Sequence, residues 1–358
     1  MSFADRLARL GAALEPAGVD AMLVTDPVNL RYLCGYDGSN GLIVARPDGA
    51  VFLTDFRYLD GARPMEAFLD LRQATVDLVK AAAAQIGEYA PGAERIGFES
   101  ANMTVARHGL LDEAGIQSVP VTDVVEQLRL VKEDAELDAI RASAALIQPV
   151  LEALVEGGLV GRRERDVAWR VRELFHEGGA ENVSFDTIVA SGEAGAQPHA
   201  TPRDTEIAPN TLVTIDLGCI LGGYCSDCTR TFATGDLPDE LAAAYELCLE
   251  AQLAGMDGIR AGITGAEADA IVRGVIEAAG HGDHFQHGTG HGVGLDIHEG
   301  PRLGKTGTAT LEPGMIVTVE PGIYLTGVGG VRIEDLAIVT TAGLERLTGY
   351  PKELIVCG

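Results

Sequence analysis

Residues 213–232 read VTIDLGCILGGYCSDCTRTF, and this stretch decides the fold of the carboxyl-terminal part of the chain. Apolar and polar residues alternate at its start, which is typical of a strand with Asp216 on the face away from the apolar layer. The glycines at 222 and 223 predict a tight turn and an antiparallel return strand bearing Asp227. The stretch therefore predicts a hairpin with one carboxylate on each strand.

Two registers of this hairpin are open. A turn centred at 221–222 pairs Asp216 with Asp227, whereas a turn centred on residues 222–223 pairs Asp216 with Thr229 and leaves Asp227 as a diagonal neighbour. Either register sets two carboxylates side by side, and their repulsion favours a cation between them.

A second hairpin repeats the pattern over residues 314–339. Glu320 ends an apolar strand, and Glu334 lies on the returning strand with Arg332 on the same face and Asp335 on the opposite one. Two matched pairs of carboxylates in apolar strands favour a site for divalent cations over ordinary solvated strand residues, because oxygen ligands suit such metals.

The order of elements predicts two domains and an internal repeat. An α/β pattern at the start gives a first domain over 1–128, and the charged helical stretch that follows opens a second over 129–358. In the second domain two helices precede each hairpin, which predicts two related halves whose hairpins meet. The predicted helices are 133–156, 163–178, 238–258 and 265–280.

Composition excludes several classes of protein. The 358 residues are 46% hydrophobic, enough for about two domains with sizeable cores. Lys and Arg number 27 against 53 Asp and Glu, so the net charge of −26 disfavours nucleic acid and anionic membranes as partners. Six cysteines are too few for a disulfide scaffold, and neither a signal-peptide core nor a bilayer-spanning run is present. The expected compartment is the cytoplasm.

Histidines and glycines alternate in residues 281–301, HGDHFQHGTGHGVGLDIHEGP. Glycines at this spacing allow a backbone to approach a site closely. His287, His291 and His298 are the candidates for chemistry, whereas a solvated helix end is expected for the first two histidines of the stretch. His199 lies in a separate loop and is unremarkable taken alone.

These stretches resemble the pita-bread metallopeptidases, in particular prolidase and aminopeptidase P. The resemblance rests on TIDLGCILGGYCSDCTRTF, HGTGHGVGLDIHEGP, EPGMIVTVEPGIY and GGVRIED, and with the two-domain layout it covers essentially the whole chain. It implies an α/β creatinase-like N-terminal domain followed by an α+β pita-bread catalytic domain with pseudo-twofold halves and two metal ions between them.

The resemblance also implies a ligand set. Asp227 and Glu334 would bridge two divalent ions, His291 and Glu320 would complete one, and Asp216 the other. Four carboxylates balance the charge of two divalent cations, and such a pair would activate a water as a nucleophile. Mn(II) is the expected metal, with Co(II) or Zn(II) as alternatives.

Further roles follow from the same resemblance. Glu320 would also accept a proton from the attacking water, while His287 and His298 would bind the scissile carbonyl, shuttle a proton and stabilise the oxyanion. His199 would bind substrate, and Arg332 would lie near its proline side. A homodimer is expected as well.

The implied reaction is hydrolysis of the Xaa-Pro bond at the N-terminus of dipeptides or short peptides. Creatinase shares the fold but lacks the metal ligands, and methionine aminopeptidases usually lack a domain equivalent to residues 1–128. Hydrolases of other small amides, such as ectoine hydrolase, and a non-catalytic binding module on the same fold remain as alternatives. The sequence leaves the choice between a dipeptidase and an aminopeptidase open.

Overall fold

The computed structural model describes all 358 residues, which divide into two compact units, Met1–Arg129 and Leu130–Gly358. The first unit is built on a six-stranded mixed sheet in the order β4-β3-β2-β1-β5-β6. Its strands are β1 (Ala21–Val24), β2 (Gly41–Arg46), β3 (Gly49–Thr54), β4 (Asp70–Gln73), β5 (Ile96–Glu99) and β6 (Ser118–Val121). Its helices are α1 (Phe3–Leu14), α2 (Pro27–Cys34), α3 (Leu59–Ala62), α4 (Leu78–Ala84), α5 (Ile86–Tyr89), α6 (Val105–Glu113) and α7 (Val124–Arg129).

Helix α2 is absent from the sequence-based prediction, although its end signals are strong. The Asp26 carboxylate accepts hydrogen bonds from the backbone N–H groups of Val28 and Asn29, and Pro27 occupies the first turn. Gly35 ends the helix in the left-handed conformation, with φ 74°.

The second unit has five helices and thirteen strands. The helices are α8 (Asp134–Ala145), α9 (Ile147–Glu156), α10 (Glu164–Glu177), α11 (Asp239–Gly258) and α12 (Gly265–Ala278), and no helix of the protein has the length and apolarity needed to cross a membrane. The strands are β7 (Asn182–Val183), β8 (Ile188–Ser191), β9 (Leu212–Leu217), β10 (Cys219–Leu221), β11 (Tyr224–Cys225), β12 (Cys228–Ala233), β13 (Gly290–Gly292), β14 (Glu299–Leu303), β15 (Ile316–Val319), β16 (Gly322–Leu325), β17 (Gly329–Arg332), β18 (Asp335–Thr340) and β19 (Gly343–Arg346).

The predicted repeat is confirmed as two halves, each with two helices packed on a three-stranded sheet. In the first half α9 and α10 bury Leu154 and Phe175 against the sheet β12-β9-β8. In the second half α11 and α12 bury Val272 against the sheet β15-β18-β19. The halves meet through their hairpins, where the Glu334 N–H donates to the Thr229 carbonyl at 3.1 Å.

One long helix predicted over 133–156 is two helices in the structure. They separate at Leu146, whose N–H turns back to the Ser143 carbonyl at 3.2 Å. Pro149 explains the break, because it has no N–H to offer the Ala145 carbonyl one helical turn earlier.

The structure selects one register for the first hairpin and confirms the pairing of the second. Asp216 pairs with Thr229, so Asp227 is the diagonal neighbour. In the second hairpin the pairs on either side place Glu320 opposite Glu334.

Both hairpins bend near their carboxylates, which corrects the prediction of unbroken strands at Asp227 and Glu334, whereas the predicted strand end at Glu320 is confirmed. Asp227 lies between β11 and β12, Glu320 between β15 and β16, and Glu334 between β17 and β18. At the first bend a Cβ on Gly218 would collide with the Ser226 carbonyl oxygen, so glycine is required there. Each hairpin thus passes from one sheet to another and turns its carboxylates towards a common centre.

Candidate metal centre

A cavity of about 450 Å³ lies in the second unit between the two hairpins. All nine site residues predicted from the sequence line it: His199, Asp216, Asp227, His287, His291, His298, Glu320, Arg332 and Glu334. The structure therefore brings together residues from both halves and from the two loops with histidines.

The innermost part of the cavity is a cluster of metal-binding groups. One ligand atom from each of Asp227, His291 and Glu334 lies within 4.8 Å of the other two. His291 Nε2 is 3.6 Å from Asp227 Oδ2 and 3.4 Å from Glu320 Oε1. Oxygen and imidazole nitrogen at this spacing form a donor set for a divalent cation.

Without a cation these carboxylates repel one another. Burial and neighbouring carboxylates raise the pKa of Asp227 and that of Glu334 well above the usual range. Burial likewise raises the pKa of Glu320, to about 8, although Arg332 opposes the shift. Divalent cations would remove the repulsion that these shifts express.

Asp216 fits the same interpretation. Its Oδ2 accepts a hydrogen bond from Arg332 Nη2 at 2.7 Å, whereas its Oδ1 is buried with no hydrogen-bond partner. A buried carboxylate oxygen without a partner is costly. A cation beside Asp216 would satisfy it, so the residues present fit a metal site.

Neighbouring hydroxyl groups orient the acidic side chains. Thr229 Oγ1 donates to Glu334 Oε2 at 2.8 Å, and Thr318 Oγ1 donates to Glu320 Oε1 at 3.3 Å. The backbone N–H of His291 in turn donates to Thr318 Oγ1 at 3.0 Å. Sequence reasoning did not single out these threonines, although each lies two residues from a candidate site residue.

His291 is held in the form that binds a metal. Its Nδ1 lies 3.0 Å from the Gly292 carbonyl oxygen, which only accepts, so Nδ1 carries the proton and Nε2 keeps its lone pair. Burial lowers the pKa of His291 and keeps the ring neutral. The flanking glycines are needed, since a Cβ on Gly290 would collide with the Thr318 carbonyl oxygen.

Tyr324 forms hydrogen bonds with two predicted site residues, His287 and Arg332, although the sequence analysis did not single it out. Its hydroxyl lies 2.9 Å from His287 Nε2 and accepts a hydrogen bond from Arg332 Nη1 at 3.0 Å. Because His287 Nδ1 donates to the Gly288 carbonyl oxygen at 2.8 Å, Nε2 accepts the proton of Tyr324. The sequence could have indicated Tyr324, because it follows Glu320 by four residues in the same hairpin, and an even spacing places both side chains on one face.

His298 and His199 occupy the outer part of the cavity. The His298 ring packs edge-on against His291 with centroids 4.6 Å apart, and its ring nitrogens make no hydrogen bond within the protein. His199 lies in the continuous wall segment 198–202. His298 is therefore free to contact a bound substrate, whereas both ring nitrogens of His287 are engaged.

Comparison with known proteins identifies the family of this chain. Residues 138–341 match metallopeptidase family M24, and residues 6–131 match the creatinase/prolidase N-terminal domain. The chain belongs to metallopeptidase family M24. The predicted creatinase-like domain and pita-bread domain are confirmed.

Three known proteins are similar to this chain over nearly its full length. An uncharacterised peptidase of Bacillus subtilis, YqhT, is 39% identical over 98% of this chain and 99% of its own. The solved Xaa-Pro dipeptidase from Bacillus anthracis is 40% identical over 99% and 100%, with a TM-score of 0.96. The solved X-Pro aminopeptidase from Thermotoga maritima is 29% identical over 96% and 99%, with a TM-score of 0.85.

Membership of M24 makes this protein a metallopeptidase. Enzymes of the family use divalent metals, and Asp227, His291 and Glu334 offer a candidate site for one.

Proposed function

We propose that this M24 enzyme hydrolyses the Xaa-Pro bond at the N-terminus of dipeptides or short peptides, using two divalent metal ions. The observation that carries the proposal is that four carboxylates and one imidazole line a single cavity, with Asp227 and Glu334 buried among them. The similarity to enzymes described as Xaa-Pro dipeptidase and X-Pro aminopeptidase supports the choice of bond.

The proposed ligands follow the observed cluster. Asp227 and Glu334 would each contact both ions, His291 and Glu320 would complete one site, and Asp216 would use its unpartnered Oδ1 at the other. Bound divalent ions supply Lewis-acid activation of water and of the scissile carbonyl. We propose Mn(II) as the working metal, with Co(II) or Zn(II) as alternatives, since carboxylate and imidazole donors bind all three.

The protein's own groups would supply the proton transfers and the positioning. Glu320 would accept a proton from the attacking water. His298, with its free ring nitrogens, would hydrogen-bond the oxygen that becomes negative in the transition state. His287 and Tyr324 would hold Arg332 against Asp216.

A proline at the second position of the substrate is consistent with a cavity that recognises the ring by its shape. An Xaa-Pro bond is a tertiary amide with no N–H, so recognition cannot depend on that donor. Ile188, Pro198 and Pro202 give the cavity apolar wall, and Arg332 and His199 add polar groups. The proline ring of the substrate would pack on this apolar wall. We propose that Arg332 and His199 lie near the carboxyl side of that proline.

Substrate length separates a dipeptidase from an aminopeptidase. We expect hydrolysis of both Ala-Pro and Ala-Pro-Ala to require added metal. The rates of the two reactions, measured side by side with Mn(II), show which substrate length the enzyme prefers. A faster dipeptide would indicate a site closed beyond proline, with Arg332 or a histidine reading the carboxylate. A faster tripeptide would indicate an open site. Hydrolysis of neither peptide by fully metallated protein would overturn the proposed function.

The raised carboxyl pKa values predict a pH-dependent stability. Glu320 has a pKa of about 8 in the metal-free fold, and Asp227 and Glu334 shift in the same direction. The folded state then binds more protons than the unfolded state, so metal-free protein should lose stability as pH rises from about 5 to about 8.

Bound metal offsets this loss, so the difference in Tm between metal-loaded and chelated protein should widen over the same interval. Calorimetry at several pH values measures it, and Glu320→Gln should weaken the dependence. A difference in Tm that stays constant with pH would contradict the interpretation.

Formation of a homodimer stays a prediction, and light scattering of the protein in solution tests it.

A further inference from the structure

One buried carboxylate outside the metal cluster fastens both ends of a cavity wall. Glu164 is the first residue of α10, and its side chain is 0% exposed. Its Oε1 accepts hydrogen bonds from the Ser191 N–H at 2.8 Å and from Ser191 Oγ at 2.7 Å. Its Oε2 accepts from the Arg203 N–H at 2.9 Å and from Arg203 Nε at 2.8 Å. Glu164, Ser191 and Arg203 are called the Glu164 clamp below.

The segment between the two clamped ends forms much of one side of the cavity. Residues 198–202 all line it, and they include His199. The wall also touches the site directly, because Arg332 Nη1 donates to the Pro198 carbonyl oxygen at 3.1 Å. A change in the separation of Ser191 and Arg203 would therefore shift the wall against the site.

The remaining contacts of this segment do not replace the carboxylate. The backbone of α10 also contacts the Arg203 end of the segment, since the Arg165 N–H donates to the Arg203 carbonyl oxygen at 3.1 Å. Ser191 belongs to β8, in the sheet of the first half. Within the segment, Gly195 packs closely on Gly330 of β17. Arg203 Nη2 also donates to the Ser191 carbonyl oxygen at 3.2 Å, but the same nitrogen is held by Glu164 Oε1 at 2.6 Å. Only the Glu164 side chain bonds the backbone N–H groups of both ends.

The second half of the repeat contains a related arrangement, in which the arginine lies on the helix and not on the held segment. Asp269 of α12 accepts hydrogen bonds from the Thr289 N–H at 3.0 Å and from Thr289 Oγ1 at 2.9 Å, and it pairs with Arg273 at 2.7 Å. Arg273 also donates to the His287 carbonyl oxygen at 2.7 Å. In both halves a buried carboxylate on the second helix, with an arginine, fixes a segment that bears a cavity histidine.

We propose that Glu164 is a positioning residue: through Ser191 and Arg203 it sets the place of wall 198–202, and so the fit of the substrate. The inference rests on the proposed function for the identity of the substrate, but the clamp itself is independent of it. Glu164 makes no contact with the metal cluster, so its removal should leave metal binding intact.

Glu164→Gln is the sharpest variant, because it keeps the size of the side chain. The new amide NH₂ group would face N–H donors that the carboxylate now accepts, so at least one end of the segment would be released. Arg203 would not become a buried unpaired charge, since 44% of its side chain is exposed. The variant is therefore expected to fold.

Steady-state kinetics separate positioning from a merely structural role. A structural role would reduce the fraction of folded enzyme, which lowers the apparent kcat but leaves KM unchanged. Positioning predicts a KM for Ala-Pro raised on the order of ten- to a hundredfold, since small misplacements are costly. Metal content per folded protein should stay at the wild-type value.

Glu99→Gln is the matched control. Glu99 is also a buried carboxylate that accepts from two backbone N–H groups, those of Thr25 at 2.6 Å and Asp26 at 2.8 Å, but it lies in the first unit. This control should lower Tm and leave KM unchanged. A normal KM in Glu164→Gln, or an equal rise of KM in Glu99→Gln, would overturn the proposal.

Hydrogen–deuterium exchange gives a readout that needs no substrate. The amides of Ser191 and Arg203 should exchange faster in Glu164→Gln, with the change confined to residues 191–203. Unchanged exchange there would overturn the clamp even if the peptidase assay succeeds. Faster exchange in a protein whose wild type cleaves no Xaa-Pro peptide would support the clamp and contradict the proposed function.

Discussion

Replacement of Glu334 by Ala should abolish peptidase activity. Glu334 is 2% exposed and offers an oxygen within 4.8 Å of ligand atoms from Asp227 and His291. Its loss would remove a ligand proposed to contact both ions. We expect kcat/KM to fall by more than about 10³-fold, since removing a single transition-state hydrogen bond already costs ~10²–10³.

The variant should also bind less metal, which inductively coupled plasma mass spectrometry measures after desalting. Glu345→Ala is a suitable control, because Glu345 lies on the second unit's surface, where it pairs with Arg141 at 2.9 Å. The control should keep wild-type activity and metal content. Full activity with normal metal content in Glu334→Ala would refute the site assignment.

Replacement of His298 by Ala should separate catalysis from metal binding. His298 packs on His291, but the Nδ1 bond to the Gly292 carbonyl keeps His291 oriented when that neighbour is lost. We expect metal content to be unchanged and kcat to fall by about 10²–10³-fold, the usual effect of losing a proton donor or an oxyanion contact.

His284→Ala serves as the comparison, because that histidine contacts His281 and does not line the cavity. It should behave as the wild type. Loss of bound metal in His298→Ala would mean that a ligand had been mistaken for a group that contacts substrate.

The sequence predicted the candidate site well because strand geometry leaves few alternatives. Side chains alternate along a strand, so the numbers of the four carboxylates already determine that they share a face in each hairpin. The choice between two registers needed the structure, which pairs Asp216 with Thr229. The bends at Gly218, Asp227 and Glu334 also escaped prediction, since they depend on contacts between sheets.

Sequence reasoning failed where a residue acts through distant partners. Tyr324 joins His287 to Arg332, and Glu164 joins Ser191 to Arg203, yet each carries a side chain that is common in its kind of element. Their roles arise from tertiary contacts that spacing does not encode. Helix α2 was missed for a different reason, because only its end signals, and not its short apolar run, identify it.

We propose that a carboxylate-bound pair of metal ions drives hydrolysis of Xaa-Pro bonds by this enzyme. Titration of chelator-treated protein with Mn(II), while cleavage of Ala-Pro and of Ala-Ala is followed, tests this proposal directly. We expect no cleavage without metal, Ala-Pro hydrolysis that reaches a plateau at about two equivalents, and no comparable hydrolysis of Ala-Ala. Intact Ala-Pro at full metal loading, or undiminished cleavage by metal-free protein, would contradict it.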